Sequence, residues 1–156
     1  MIEIRIPGGQ DLALSHAIVD LNGTLATDGR LNAGVRERLR ALAARLDVRI
    51  LSADTHGSLE AVGGALGVAV ERVAGGADKA AAVMRLRREG ATGVVAIGNG
   101  RNDLAMFEAA DLAIAVLGSE GAAAKAVVAA DLVCTSGADA LDLLLRPARL
   151  VAGLRP

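Results

Sequence analysis

The sequence predicts a doubly wound α/β domain, a Rossmann-like parallel sheet flanked by helices, and three observations carry that prediction. From about residue 16 onward, short apolar runs rich in β-branched residues alternate with stretches whose apolar residues recur at helical spacing. Such alternation implies right-handed crossovers and a parallel sheet covered by helices on both faces. The apolar runs end in polar loops, and those loops hold most of the side chains with chemistry to offer. Hydrophobic residues make up 53% of the 156, enough for a core, while aromatics are 1%, so that core must be aliphatic.

Each element has a local reason. Residues 2–6 alternate apolar and charged, Pro7-Gly8-Gly9-Gln10 has turn chemistry, and Leu12 and Leu14 resume the alternation, which predicts an N-terminal β-hairpin. His16 to Asp20 is a strand that ends in a carboxylate and runs into a turn at Gly23. Asp28-Gly29 reads as a tight turn. Val35, Leu39, Leu42 and Leu46 place a helix within 32–46, with arginines on its solvated face. A strand over 48–51 closes on Ser52, and Asp54 and Thr55 read as an N-cap pair for a helix over 60–66 loosened by Gly63 and Gly64. A short strand over 68–73 follows, then a strong helix over 77–89 stopped by Gly90. Strand 93–97 leads into the loop Gly98-Asn99-Gly100-Arg101-Asn102-Asp103 and a helix over 104–109. Strand 112–116, an alanine-rich helix over 120–130, strand 132–135 and a helix over 138–145, interrupted at Pro147, complete the chain.

Composition excludes several functions. With Phe107 the only aromatic residue, there are no stacking platforms for single-stranded nucleic acid, and a net charge of −1 offers no attraction to a polyanion. The single cysteine, Cys134, fits a reducing compartment, and its apolar surroundings predict a buried, inert thiol. No apolar run approaches the ~18 residues of a membrane span, and the charged first residues do not resemble a signal peptide, so no membrane partner and a cytoplasmic location are expected.

Four polar stations stand at the strand ends: Asp20 with Asn22 and Thr24; Ser52 with Asp54 and Thr55; Lys79 at the start of a helix; and the loop of Asn99, Asn102 and Asp103. In a parallel sheet the carboxyl ends of all strands share one edge, so the three loop stations should meet there with Lys79 projecting in. Taken alone, Asp20 is a strand-end cap, Ser52 a turn residue and His56 an ordinary loop histidine. Lys79 differs, because a cation in a first helical turn works against the helix dipole and needs another reason to be there. Together, a carboxylate nucleophile, hydroxyl and amide donors, a cation and a second acidic group form a coherent phosphoryl-transfer site.

In these motifs the chain resembles the haloacid-dehalogenase-like (HAD) hydrolase superfamily, and within it the soluble relatives of the P-type ATPase phosphorylation domain. The resemblance rests on Asp20-Leu21-Asn22-Gly23-Thr24-Leu25, Ser52, Lys79 and Gly98-Asn99-Gly100-Arg101-Asn102-Asp103, and spans residues 16 to about 135. The length of 156 residues predicts a single domain, 1–156, which the resemblance makes a HAD-like core. The resemblance implies that Asp20 attacks phosphorus to form an aspartyl-phosphate, with Asn22, Ser52 and Lys79 as the other catalytic residues. Phosphate would contact Asp20, Asn22, Gly23, Ser52, Ala53, Lys79 and Asn102. Mg²⁺ would lie among Asp20, the backbone carbonyl of Asn22, Asn99 and Asp103, a hard-oxygen set of the kind this ion prefers.

Two positions depart from the family pattern. Asn22 stands where most of these phosphatases carry an Asp that acts as general acid and base. An amide cannot exchange that proton at neutral pH, which removes ~10²–10⁴-fold of rate, about 3–5 kcal/mol of barrier. Asn99 stands where the fourth motif normally has a metal-binding Asp, and an amide oxygen brings no charge. The expected function is a slow Mg²⁺-dependent phosphohydrolase or phosphotransferase favouring good leaving groups. A catalytically reduced phosphate-binding or regulatory module, and a nucleotide- or metabolite-binding domain without this chemistry, are the alternatives. The segments 25–52 and 53–79 leave no room for an inserted cap domain, so the site should be open to a phosphorylated small molecule or a phosphoprotein. Such a site predicts a homo-oligomer, dimer or tetramer, in which a neighbour's hairpin covers the entrance.

Overall fold

Strands that must bury both faces set the architecture, which a computed structural model describes for residues 1–53 and 59–156. Asp54, Thr55 and His56 lie outside the described residues. The strands are β1 (Ile2–Ile4), β2 (Leu12–Leu14), β3 (His16–Asp20), β4 (Ala26–Thr27), β5 (Arg30–Leu31), β6 (Asp47–Ser52), β7 (Ala69–Arg72), β8 (Val94–Gly98), β9 (Leu112–Val116) and β10 (Leu132–Cys134). The helices are α1 (Val35–Ala43), α2 (Leu59–Leu66), α3 (Gly76–Arg88), α4 (Leu104–Ala109), α5 (Ala124–Ala129), α6 (Gly137–Leu145) and α7 (Pro147–Leu154), with a 3₁₀ turn at Arg101–Asp103.

Six strands form one parallel sheet in the order β10-β9-β8-β3-β6-β7. Alternate side chains enter two aliphatic cores. Ala17 and Val19 of β3, Val95 and Ile97 of β8, and Leu112, Ile114 and Val116 of β9 join α1, α6 and α7 on one face. Ile18, Val94, Ala96, Ala113 and Ala115 join α3, α4 and α5 on the other. The N-terminal hairpin, with Ile2 opposite Leu14 and Ile4 opposite Leu12, packs its apolar side into the first core and against α7.

The strand order decides where a ligand would sit. The chain runs outward from β3 through β6 to β7, then crosses back through α3 to β8 and runs outward the other way through β9 to β10. The reversal falls between β3 and β8, and the crevice at the carboxyl ends beside such a switch point is where open α/β sheets bind ligands. Val19 and Ile97 are paired across that boundary, so Asp20 and Gly98 leave the sheet side by side.

The elements depart from the sequence expectations in three places. The helix expected from residue 120 starts at Ala124, because Gly118 to Gly121 forms a turn closed by the Gly121 amide on the Gly118 carbonyl (2.8 Å). Pro147 begins a further helix rather than only ending one, since proline's fixed φ suits a first helical position. Its Leu150 is fully buried. Between β3 and α1 the Asp28-Gly29 turn (φ 49° and 75°) joins β4 and β5 in a small second hairpin. That hairpin and α1 fill the stretch from Leu25 to β6, while α2 and β7 are the described elements between Ser52 and α3.

Candidate active site

Asp20 leaves β3 into a loop whose shape depends on Gly23. That residue has φ 79°, and a Cβ there would strike the side-chain amide of Asn99. Its own amide donates to the Ala26 carbonyl (2.8 Å). Gly23, expected among the phosphate contacts, thus supplies room for the Asn99 loop, and its amide is already committed.

Behind Asp20 lies a buried ionic triad. The Lys79 ammonium, in the first turn of α3, donates to Asp20 Oδ1 (2.5 Å) and to Asp103 Oδ1 (2.6 Å). Lys79 and Asp103 are wholly buried, and Asp20 is 6% exposed. This geometry supplies the reason for a cation at a helix N-terminus that the sequence left open. Burial, and then the neighbouring Asp103 carboxylate, push Asp20 up to about 6, although Lys79 pulls the other way. Burial also works against the charge on Lys79, but the two carboxylates outweigh it and hold the ammonium above its ordinary value. Two carboxylates and one ammonium leave a net negative charge in a nearly dry place.

Asp103 returns to this point because the chain after β8 folds back on itself. Its Oδ2 accepts from the amides of Asn99 (2.9 Å) and Gly100 (2.8 Å). A Cβ on Gly98 would run into the Asp103 carboxylate, so the close approach requires glycine. Asp103 was expected among the metal ligands. Here one oxygen accepts from Lys79 and the other from the two loop amides, so Asp103 anchors the loop against the ammonium.

On the solvent side, Asn22 Nδ2 donates to Ser52 Oγ (3.3 Å), joining the ends of β3 and β6, and Ser52 is 1% exposed. Ala53 and Asn102 are exposed at the rim. Thr24, which the sequence places beside Asp20 without assigning it a role, is central. Its buried hydroxyl faces both Asp20 Oδ2 (3.3 Å) and Asn99 Oδ1 (3.2 Å). The Asn99 amide is oriented by its Nδ2, which donates to the Gly121 carbonyl (3.0 Å). A threonine hydroxyl has one proton, so two acceptor oxygens converge on a single donor.

The loop after β9 is the part that sequence reasoning missed. Besides Gly121, it contributes Ser119, 3.1 Å from Thr27 Oγ1, and Glu120, which accepts from the Asp28 amide (2.8 Å). These contacts tie the β4–β5 hairpin to the loop after β9 across 92 positions, a separation at which no local motif gives a signal, and Gly121 of the same loop holds Asn99.

Among the described residues no three His, Cys, Asp or Glu side chains gather to hold a metal. Mg²⁺ does not need such a cage, since it commonly takes one or two carboxylates plus waters and substrate phosphates. The residues fit it. Hard oxygens of Asp20 and Asn99 converge with one proton between them, and the site carries surplus negative charge that a divalent cation would offset. Cys134 stays out of this chemistry, buried and pushed up to about 11 by burial and then by Asp139.

Among known proteins, two uncharacterized proteins of Methanocaldococcus jannaschii are similar. One is 48% identical over 62 residues, covering 40% of this chain and 67% of that protein, and the other 58% identical over 38 residues, covering 24% and 86%. Among solved structures, the 3-deoxy-D-manno-octulosonate 8-phosphate phosphatase of Moraxella catarrhalis, in complex with magnesium, phosphate and KDO, superposes with a TM-score of 0.72 at 14% identity, over 89% of this chain and 92% of that one. The cobalt-bound deoxy-D-mannose-octulosonate 8-phosphate phosphatase of Haemophilus influenzae gives 0.66 at 21% identity, over 85% and 88%. A zinc-transporting PIB-type ATPase in its E2.Pi state gives 0.64 at 25% identity, over 78% of this chain but only 20% of the transporter. A family profile described as haloacid dehalogenase-like hydrolase matches residues 53–140, more than half of the sequence. The chain therefore belongs to the haloacid dehalogenase-like hydrolase family.

Proposed function

We propose that this hydrolase is a Mg²⁺-dependent phosphohydrolase or phosphotransferase that works through an aspartyl-phosphate on Asp20 and favours good leaving groups. The observation that carries this reading is the Asp20 carboxylate at the switch-point crevice, backed by Lys79 at 2.5 Å and linked through Asn22 to Ser52. An Asp20 oxygen attacks phosphorus, the bond from phosphorus to the leaving oxygen breaks, and the leaving group departs with the electron pair. Water then attacks the phosphorus, the bond from phosphorus to Asp20 breaks and restores the carboxylate, and the water's proton leaves on the released phosphate. Lys79 and the hydroxyl of Ser52 supply fixed positive and donor groups for the charge on the transferring oxygens. When bound, Mg²⁺ would be held by Asp20, Asn99 and the Asn22 carbonyl and would add further electrostatic stabilisation of that charge.

Asn22 sets the substrate preference. Its amide holds Ser52 but carries no transferable proton, so the leaving group must depart as a stable anion. Acyl phosphates and phosphoanhydrides meet that condition, and alkyl phosphates do not. The absence of any described cap element over the crevice suits either a phosphorylated small molecule or a phosphoprotein. A homo-oligomer that covers the entrance follows from the same openness, and light scattering at micromolar concentration tests it.

The amides at 22 and 99 favour a second reading, a phosphate-binding or regulatory module that has lost turnover. Incubation with acetyl phosphate and Mg²⁺ separates the two. The hydrolase forms an acid-labile phosphoenzyme, lost in Asp20→Asn, and Asn22→Asp raises turnover of alkyl phosphates by ~10²-fold or more. No phosphoenzyme in the wild-type protein would leave the regulatory module standing.

A further inference from the structure

We infer that this site takes up its divalent cation and its phosphate group interdependently, each binding weakly alone and tightly with the other, and that Asn99 is the residue responsible. The inference rests on the phosphoryl-transfer reading above and adds how that site is loaded. It is carried by the way the oxygens around Asp20 are shared out.

Among the described residues the carboxylates at this point are Asp20 and Asp103, and Asp20 presents its Oδ2 to Thr24 while its Oδ1 is held by Lys79. Both oxygens of Asp103 are already engaged, Oδ1 by Lys79 and Oδ2 by two loop amides. The oxygen that converges with Asp20 on Thr24 comes from Asn99 and is neutral. Among the described residues, a cation between Asp20 and Asn99 would therefore meet one anionic oxygen and otherwise carbonyl oxygens and water. Mg²⁺ gives up its hydration reluctantly and binds such a set weakly until a substrate phosphate joins it.

The buried charge leads to the same result. Asp20, Asp103 and Lys79 together carry one net negative charge. A divalent cation alone turns this into one net positive charge, and a phosphate dianion alone into three net negative charges, against a low-dielectric surround. Cation and dianion together restore the resting charge. A carboxylate at position 99 would supply the missing anion from the protein itself, and the cation would then no longer depend on phosphate.

Coupling between two ligands is reciprocal, which makes the inference measurable without turnover. Titration calorimetry of the full chain with Mg²⁺, in the absence and presence of saturating inorganic phosphate, should show an affinity gain of about 10-fold or more, within the usual range of coupled sites. The reverse titration, phosphate with and without saturating Mg²⁺, should give the same ratio. Asn99→Asp should bind Mg²⁺ alone more tightly and shrink the ratio toward one. Equal Mg²⁺ affinity with and without phosphate in the wild-type protein overturns the inference and leaves the proposed chemistry standing. An undiminished ratio in a folded Asn99→Asp overturns the role of Asn99. Failure of Mg²⁺ and phosphate to bind in any combination overturns both the inference and the phosphohydrolase reading.

Discussion

The two ends of the parallel sheet carry clusters of similar residue types, and they are built on opposite principles. At the amino ends of the strands, Ser15 Oγ lies 2.8 Å from His16 Nδ1, and His16 Nε2 lies 3.7 Å from Asp47 Oδ2. By residue type this is a serine, a histidine and a carboxylate in line. The Ser15 hydroxyl, however, accepts from the Thr92 and Gly93 amides (3.0 and 3.4 Å) and lies 3.2 Å from the Gly93 carbonyl, so it serves as a backbone clamp. The Asp47 side chain is 44% exposed and shares Arg49 at 3.4 Å. At the carboxyl ends Asp20, Lys79 and Asp103 are buried with one negative charge left over. What separates a site from a surface cluster here is unbalanced charge kept away from water, and residue type alone does not reveal it.

Lys79→Met should give the largest effect and tests this contrast directly. It leaves two carboxylates facing each other in a dry pocket, and removing one partner of a buried ionic group costs about 3–5 kcal/mol. Urea denaturation at neutral pH should show that loss, with part of it recovered when Asp103→Asn is added. At the other end, Asp47→Ala should cost under ~1 kcal/mol, as exposed pairs do. Equal losses at the two ends would erase the distinction.

A smaller effect follows from the acidity of Asp20. Its pKa in the folded protein, about 6, lies above the ordinary value of 3.8. The folded chain therefore holds that proton more tightly than the unfolded chain does. The resulting stability is fully present below pH 3.8 and is lost as pH rises through about 6. Thermal melting of the metal-free protein should show this decline between pH 4 and 7 over and above the other titrations. Asp20→Asn should remove the excess, and Mg²⁺ with phosphate should offset it in the wild-type protein. A pH profile that Asp20→Asn leaves unchanged would mean that Asp20 carries no such tension.

Much of this organisation is legible in the sequence, for a definable reason. Strand periodicity and strand-end polarity are local properties, so the parallel sheet and the meeting of Asp20, Ser52, Lys79 and the Asn99–Asp103 loop at one edge follow from position along the chain. Which oxygen of Asp103 holds which partner does not, because that depends on Gly98 letting the loop fold back by one particular path. Thr24 is visible in the motif, but its role as a single donor between two acceptors exists only once β3 and β8 are adjacent. The clasp by Ser119, Glu120 and Gly121 is closed by contacts distant in sequence, and the alanine-rich pattern around it suggests only helix. The helix after Pro147 was obscured because proline both stops one helix and starts another.

The smallest expected effect is also the sharpest test of the comparison, because it asks a catalytic-looking cluster to do nothing. His16→Ala removes one contact to Ser15 and a 3.7 Å approach to Asp47, while Ser15 keeps its bonds to Thr92 and Gly93. The Asp47 carboxylate keeps Arg49 and its access to water. No buried charge is left without a partner, and the lost packing is that of a side chain with 19% of its surface still exposed. Stability should therefore fall by about 1 kcal/mol or less. Phosphoenzyme formation with acetyl phosphate should be unchanged, since His16 stands at the far end of the strand that carries Asp20. A loss of phosphoenzyme in a His16→Ala protein that melts like the wild type would show that the amino ends of the strands take part in the chemistry after all, and that buried charge imbalance is the wrong criterion for the site.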